Sequence, residues 1–173
     1  QVINLIMQHD ECDISNIRQF AKEVGTTIER YIEFIDRNND AFIFKNRETI
    51  ISVNAAGLDE VDFSILDTVL EEFIGEEPYR LLSDFYNYRE LPDLACLWNT
   101  WLLYSVIKKY SKIFKLVLTS NYLNEAKPIL MRQGFDEANI DFGALAEMDQ
   151  GDSEQFDKND EDILDAFDYD DLE

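Results

Sequence analysis

Along residues 1–135 the apolar positions fall into blocks, and twice the spacing changes from helical to alternating. Val2, Ile3, Leu5, Ile6 and Met7 predict a short apolar helix. Ile17, Phe20, Ala21 and Val24 recur at the spacing of a second helix, with Ser15 as its expected cap and Gly25 as its stop. Thr26 opens a third helix with Glu29 three residues on, a spacing that lets hydroxyl and carboxylate satisfy two backbone donors reciprocally. Ile28, Tyr31, Ile32 and Ile35 make its buried face. After the polar run Arg37-Asn38-Asn39-Asp40 the period shortens, and Ala41–Phe44 and Thr49–Val53 read as a hairpin turning at Lys45–Glu48.

A second block repeats the plan. Phe63, Ile65, Leu66, Val69, Leu70 and Phe73 predict a helix stopped by Gly75. Leu81, Leu82, Phe85 and Tyr86 predict a shorter helix, and Leu94 to Ile113 a long one. Phe114–Thr119 and Ile129–Met131 then read as two strands, with Pro128 restricted to a strand edge because it cannot donate to a ladder. In the long helix Leu97, Trp98, Trp101, Leu102, Leu103, Tyr104, Val106, Ile107 and Tyr110 leave little polar face, which predicts a buried central helix rather than an exposed platform for stacking bases. The expected fold is mainly α with small β-hairpins (α+β): one unit over residues 1–58, a degenerate copy over 59–135, and a tail over 136–173.

Phe20-Ala21-Lys22-Glu23-Val24-Gly25 followed by Thr26-Thr27-Ile28-Glu29-Arg30-Tyr31 resembles the helix-turn-helix of winged-helix transcription factors, where a small residue packs helix on helix and a glycine makes the turn. The resemblance covers residues 1–55 and implies a winged-helix unit and contact with DNA; the recurrence of helices followed by a hairpin makes a tandem winged-helix body the expected architecture. The sequence departs from it in the helix that would read bases, which sets Glu29, Glu33 and Asp36 against Arg30 and Arg37. A helix-hairpin body with an acidic tail is similar, in plan alone, to the delta subunit of Firmicutes RNA polymerase.

Charge changes the picture most. Of the formal −22, residues 1–135 hold 21 acidic and 14 basic side chains, while residues 136–173 hold 16 acidic residues against Lys158 alone. Low hydrophobicity with such charge cannot repay the entropy of ordering, so the tail is expected to be disordered when free. Its last stretch can form a short amphipathic helix on a basic partner, which makes Asp162, Ile163, Leu164, Phe167, Tyr169, Asp170 and Asp171 the candidate partner-binding residues. Asp157, Asn159, Glu161, Asp165 and Asp168 fall in a calcium-loop register, but Asp162 stands where the turn demands glycine and the last ligand is Asp, so no metal site is expected. Lys108, Lys109, Lys112 and Lys115, with Arg30 and Arg47, are the candidate docking residues for nucleic acid or for the tail. The helix macrodipole accounts for lysines at a helix C-terminus equally well.

His9 is the only histidine, and Cys12 and Cys96, far apart, are the only cysteines; two free thiols are expected, with neither a zinc site nor a nucleophile–histidine pair. The six glycines are isolated and form no phosphate-binding loop, so no cofactor and no enzymatic activity are expected. The chain has no apolar run of membrane-spanning length and no leader pattern at its start, and a cytoplasmic location is expected. Because residue 1 is Gln, the chain is expected to be a processed product or a piece of a longer one. The expected function is a non-enzymatic regulatory or protein-interaction module that engages a basic surface, on a nucleic-acid-handling protein, through its acidic tail and faces. The alternative is a winged-helix DNA-binding regulator whose tail is autoinhibitory.

Overall fold

A computed structural model describes residues 9–37, 40–120, 122 and 125–153. The helix expected over residues 2–7 and the tail from residue 154 lie outside them. The chain divides into a unit ending at Glu137 and a second unit from Ala138.

Within the first unit, β1 (Glu11–Asp13) runs directly into α1 (Ile14–Glu23), followed by α2 (Ile28–Arg37), β2 (Phe42–Asn46) and β3 (Thr49–Ser52). The turn between α1 and α2 is made by Gly25 at φ 72°. There Thr26 N–H donates to Ala21 O at 2.9 Å and Gly25 N–H to Lys22 O at 3.3 Å, the bond pair that closes a helix whose next residue is left-handed. Ala21, Ile17 and Ile28 are buried at this corner. Ser15 is not the cap of α1. Asp13 holds that position without a side-chain cap bond, and the Ile14 N–H is satisfied instead by Glu48 O of the hairpin at 2.8 Å. β1 escapes the sequence pattern because only Cys12 of its three residues is apolar.

The second half of this unit holds α3 (Leu66–Ile74), β4 (Tyr79–Leu81), α4 (Thr100–Tyr110), β5 (Phe114–Leu118) and β6 (Pro128–Arg132). Two expectations are corrected here. Leu81 to Tyr86 is not a helix: Tyr79–Leu81 pairs antiparallel with Ile129–Met131, and only Leu82–Asp84 coils, as a single 3-10 turn. Pro78, just before the strand, disfavours a helical conformation of Glu77 and opens the chain toward extension. The long helix begins at Thr100, not Leu94, because Asn99 caps it, its side-chain oxygen accepting from Trp101 N–H at 3.0 Å and Leu102 N–H at 3.1 Å. Pro128 takes the first position of β6, opposite Leu118 and beyond the last residue paired with β4.

Both sheets are three-stranded and antiparallel, with the same strand order: β1-β3-β2 in one and β4-β6-β5 in the other. They share one hydrophobic cluster that runs from Cys12 to Leu130. The join is made by β2 and α4. Phe42, Ile43 and Phe44 are all buried, so this strand is covered on both faces although it lies at a sheet edge. The Phe44 ring packs at 5.3 Å from Trp101 and 6.1 Å from Tyr104. Since Val53 N–H donates to Ala41 O, the antiparallel alternation turns the Phe44 N–H away from β3. Ser105 Oγ of α4 accepts it at 3.0 Å, and Asn99 Nδ2 donates to Lys45 O at 2.7 Å.

In the second unit, α5 (Phe142–Ser153) begins where the Asp141 carboxylate accepts the Ala144 N–H at 3.0 Å. The sequence pattern gives no helix here because the apolar residues lack a stripe; the cap and the Ala-Leu-Ala-Glu-Met run supply the propensity. No described helix is long and apolar enough to cross a membrane.

Replacing Ser105 by Ala leaves a buried backbone N–H unpaired. Urea unfolding is expected to show a loss of about 1–3 kcal/mol, with the slope against denaturant unchanged.

Candidate partner-binding surfaces

The cations that sequence singles out are brought together in part, and most are spent inside the fold. Lys108, in the last turn of α4, reaches Asp36 at the end of α2 at 2.9 Å. Tyr104, one turn earlier, donates its hydroxyl to the same carboxylate at 3.0 Å and accepts from Lys108 at 3.2 Å. Lys109 pairs with Asp40 at 2.8 Å, and this bond holds the Asp40 carboxyl below its usual range. Lys115, on β5, donates to Phe135 O at 2.7 Å and stands 3.8 Å from Glu137. Lys112 is exposed, and its backbone N–H donates to Asp67 at 3.1 Å. Lys108, Lys112 and Lys115 are not carried by one helix, because α4 ends at Tyr110, Lys112 follows it and Lys115 lies on β5.

The two elements a winged-helix protein would turn to DNA are affected differently. In the hairpin, Arg47 donates to Ala126 O at 3.0 Å with its guanidinium 5.7 Å from the Trp101 ring centre, so it joins the hairpin to the rest of the unit. On α2, Arg30, Glu33 and Arg37 are exposed, and Glu33 lies 3.9 Å from Arg37. That face carries mixed charge. Trp101 is buried in the core, while Trp98 is half-buried and donates its indole N–H to Pro92 O at 2.8 Å. Neither ring is a free stacking platform.

Carboxylates, by contrast, face solvent. The stretch from Asp59 to Asp93 holds eleven acidic residues against Arg80 and Arg89, and all but Asp67 are exposed. Asp67 is tied to Ser111, whose hydroxyl donates to it at 2.5 Å. The sequence carries most of its acidic excess in the tail, and this 35-residue stretch adds a second excess within the first unit. The candidate tail residues Asp162, Ile163, Leu164, Phe167, Tyr169, Asp170 and Asp171 lie outside the described residues.

An open cleft of about 440 Å³ beside β1 and α1 is lined by His9, Glu11, Cys12, Asp13, Asn16 and Gln19. Cys12 and Cys96 are free thiols. Burial pushes both upward from the usual thiol range, with Asp13 adding to the rise at Cys12, so neither is activated as a thiolate. Among the described residues no group of His, Cys, Asp and Glu side chains has the arrangement of a metal site.

Burial, followed by the Asp36 charge, raises Tyr104 far above its ordinary value of 10.0, so the folded state holds this proton where the unfolded chain releases it. The resulting stability is complete below pH 10.0 and is lost as the pH climbs above it. Thermal unfolding from about pH 8 to about pH 11 is expected to show this alkaline loss, smaller in Tyr104→Phe than in the parent chain.

No protein-family model, no curated protein and no solved structure matches the chain.

Proposed function

We propose that the chain is a non-enzymatic, cytoplasmic protein-interaction module that engages a basic surface on a partner, through the exposed carboxylates of residues 59–93 and the acidic C-terminal segment. One observation carries this reading: Lys108, Lys109, Lys115 and Arg47 are consumed by contacts within the fold, while ten of the eleven carboxylates from Asp59 to Asp93 are exposed, Glu71 among them although it pairs with Arg132 at 2.7 Å. A surface of that sign repels a phosphate backbone and attracts cationic protein. At a formal charge of −22, long-range attraction accelerates encounter with a basic partner and weakens as salt screens it. Proteins that handle nucleic acid carry such basic surfaces, and they are the partner class this reading favours.

The architecture supports a winged-helix origin for the scaffold. Two helices meet at a glycine turn and lead into a hairpin, and the repeated strand order of the two sheets supports a tandem arrangement. A second reading, a DNA-binding regulator, draws on the same corner and on the exposed Arg30 and Arg37 of α2. The mixed charge of that helix and the engaged Arg47 favour protein contact over it.

Duplex DNA offered to the full chain and to a chain ending at Glu137, across a salt series, separates the two. Neither is expected to bind. Tight binding by the shorter chain, falling steeply with salt, would establish the DNA-binding reading instead.

A further inference from the structure

The segment from Phe85 to Trp98 is irregular apart from one 3-10 turn at Tyr88–Glu90, and it closes on itself. Trp98 stacks on Tyr88 with ring centres 6.4 Å apart and reaches Pro92 O, while Phe85 meets Tyr88 edge-on at 4.9 Å. Phe85 and Leu91 are buried in the core, so the loop is anchored from within. Loops of this length without regular structure are uncommon in compact domains and are characteristically functional.

Two large side chains on this anchored loop face water. Leu97 is 89% exposed and Tyr86 75%, the two highest values among the exposed large hydrophobic residues described. Each lies within two residues of the stacked Tyr88–Trp98 pair, which holds the two ends of the loop together. Nothing local requires Leu97 to be apolar: its carbonyl accepts from Asn99 Nδ2 at 3.2 Å, a bond any residue supplies.

The surroundings are acidic. Residues 57–63 lie against the same loop, with Phe63 edge-on to Trp98 at 6.5 Å and a Cβ built on Gly57 sitting 3.9 Å from that of Ala95. Asp59, Glu60 and Asp62 of that neighbouring segment are exposed, as are Glu90 and Asp93 of the loop, against Arg89 of the loop and Lys45, whose charge reaches Cys96 but is paired with Glu11 at 2.6 Å. Exposed apolar side chains on a loop that carries and adjoins exposed carboxylates select a ligand with the converse pattern, since opposite charge at the rim steers and orients while buried apolar contact holds.

We propose that the Phe85–Trp98 loop is a docking surface for a cationic amphipathic segment of a partner protein, with Tyr86 and Leu97 as its apolar anchors and the surrounding carboxylates matching the partner's Lys and Arg side chains. This rests on the reading of the chain as a binder of basic protein and names the surface responsible.

The test uses the full chain and two synthetic peptides of equal length, one of lysine and leucine with a single apolar helical face, the other of lysine alone. Calorimetry is expected to show tighter binding of the lysine–leucine peptide. The double substitution Tyr86→Ser, Leu97→Ser is expected to lower that affinity about tenfold and leave the all-lysine peptide unaffected. Because both side chains are exposed, the variant keeps its fold, which circular dichroism checks. Equal affinity of parent and variant for the lysine–leucine peptide overturns the loop as docking surface while leaving the basic-partner reading intact. Failure of both peptides to bind the parent chain overturns that reading as well.

Discussion

The open edge of β2 is the constraint on which the first unit depends. A strand whose outer N–H and C=O groups face nothing must be paired, hydrated or covered, and here it is covered by a helix more than fifty residues later in sequence. Ser105 and Asn99 supply the polar contacts, and Trp101 and Tyr104 close over the Phe44 ring between them. Asn99 serves twice, since the residue that starts α4 also holds the backbone of the hairpin. The two sheets therefore share a core where two independent small domains would each have been short of buried area.

The same arrangement inverts the electrostatics expected of a nucleic-acid-binding scaffold. Covering β2 brings α4 beside α2, where Lys108 and Lys109 meet Asp36 and Asp40. The hairpin arginine turns inward onto Trp101. What remains outside is largely carboxylate, so surface sign is a by-product of how the core is closed.

Much of this order was legible in the sequence, and the misses have physical causes. Gly25 and Gly75 mark the ends of α1 and α3, where a left-handed residue is needed, and the β-branched and aromatic runs mark β3 and β5 in full and β2 and β6 in part, since β2 continues through Lys45 and Asn46 and β6 takes in Pro128 and Arg132. The unbroken apolar run Phe42-Ile43-Phe44 carried a signal of burial on both faces, which alternation alone does not express. β1 and β4 leave no local pattern because three-residue strands owe their existence to their partners, β3 and β6. Leu94 to Trp98 has the composition of a helix, but Trp98 reaches back to Pro92 and the sign of the true start is the cap at Asn99. Of the candidate site, the lysines are legible in the sequence but the pairing of Lys108 with Asp36 and of Lys109 with Asp40 is not, because it is a tertiary event.

The reach of the Phe44 to Ser105 bond has a consequence for synthesis on the ribosome. Those residues are 61 apart, so at about 5–20 residues per second the hairpin waits about 3–12 s before the helix that shields it has been made. Through that interval a strand of sequence Phe-Ile-Phe presents an unguarded edge to any other nascent chain. Slower translation between the hairpin and α4 lengthens this exposure, and a chaperone that holds the nascent hairpin shortens its effect.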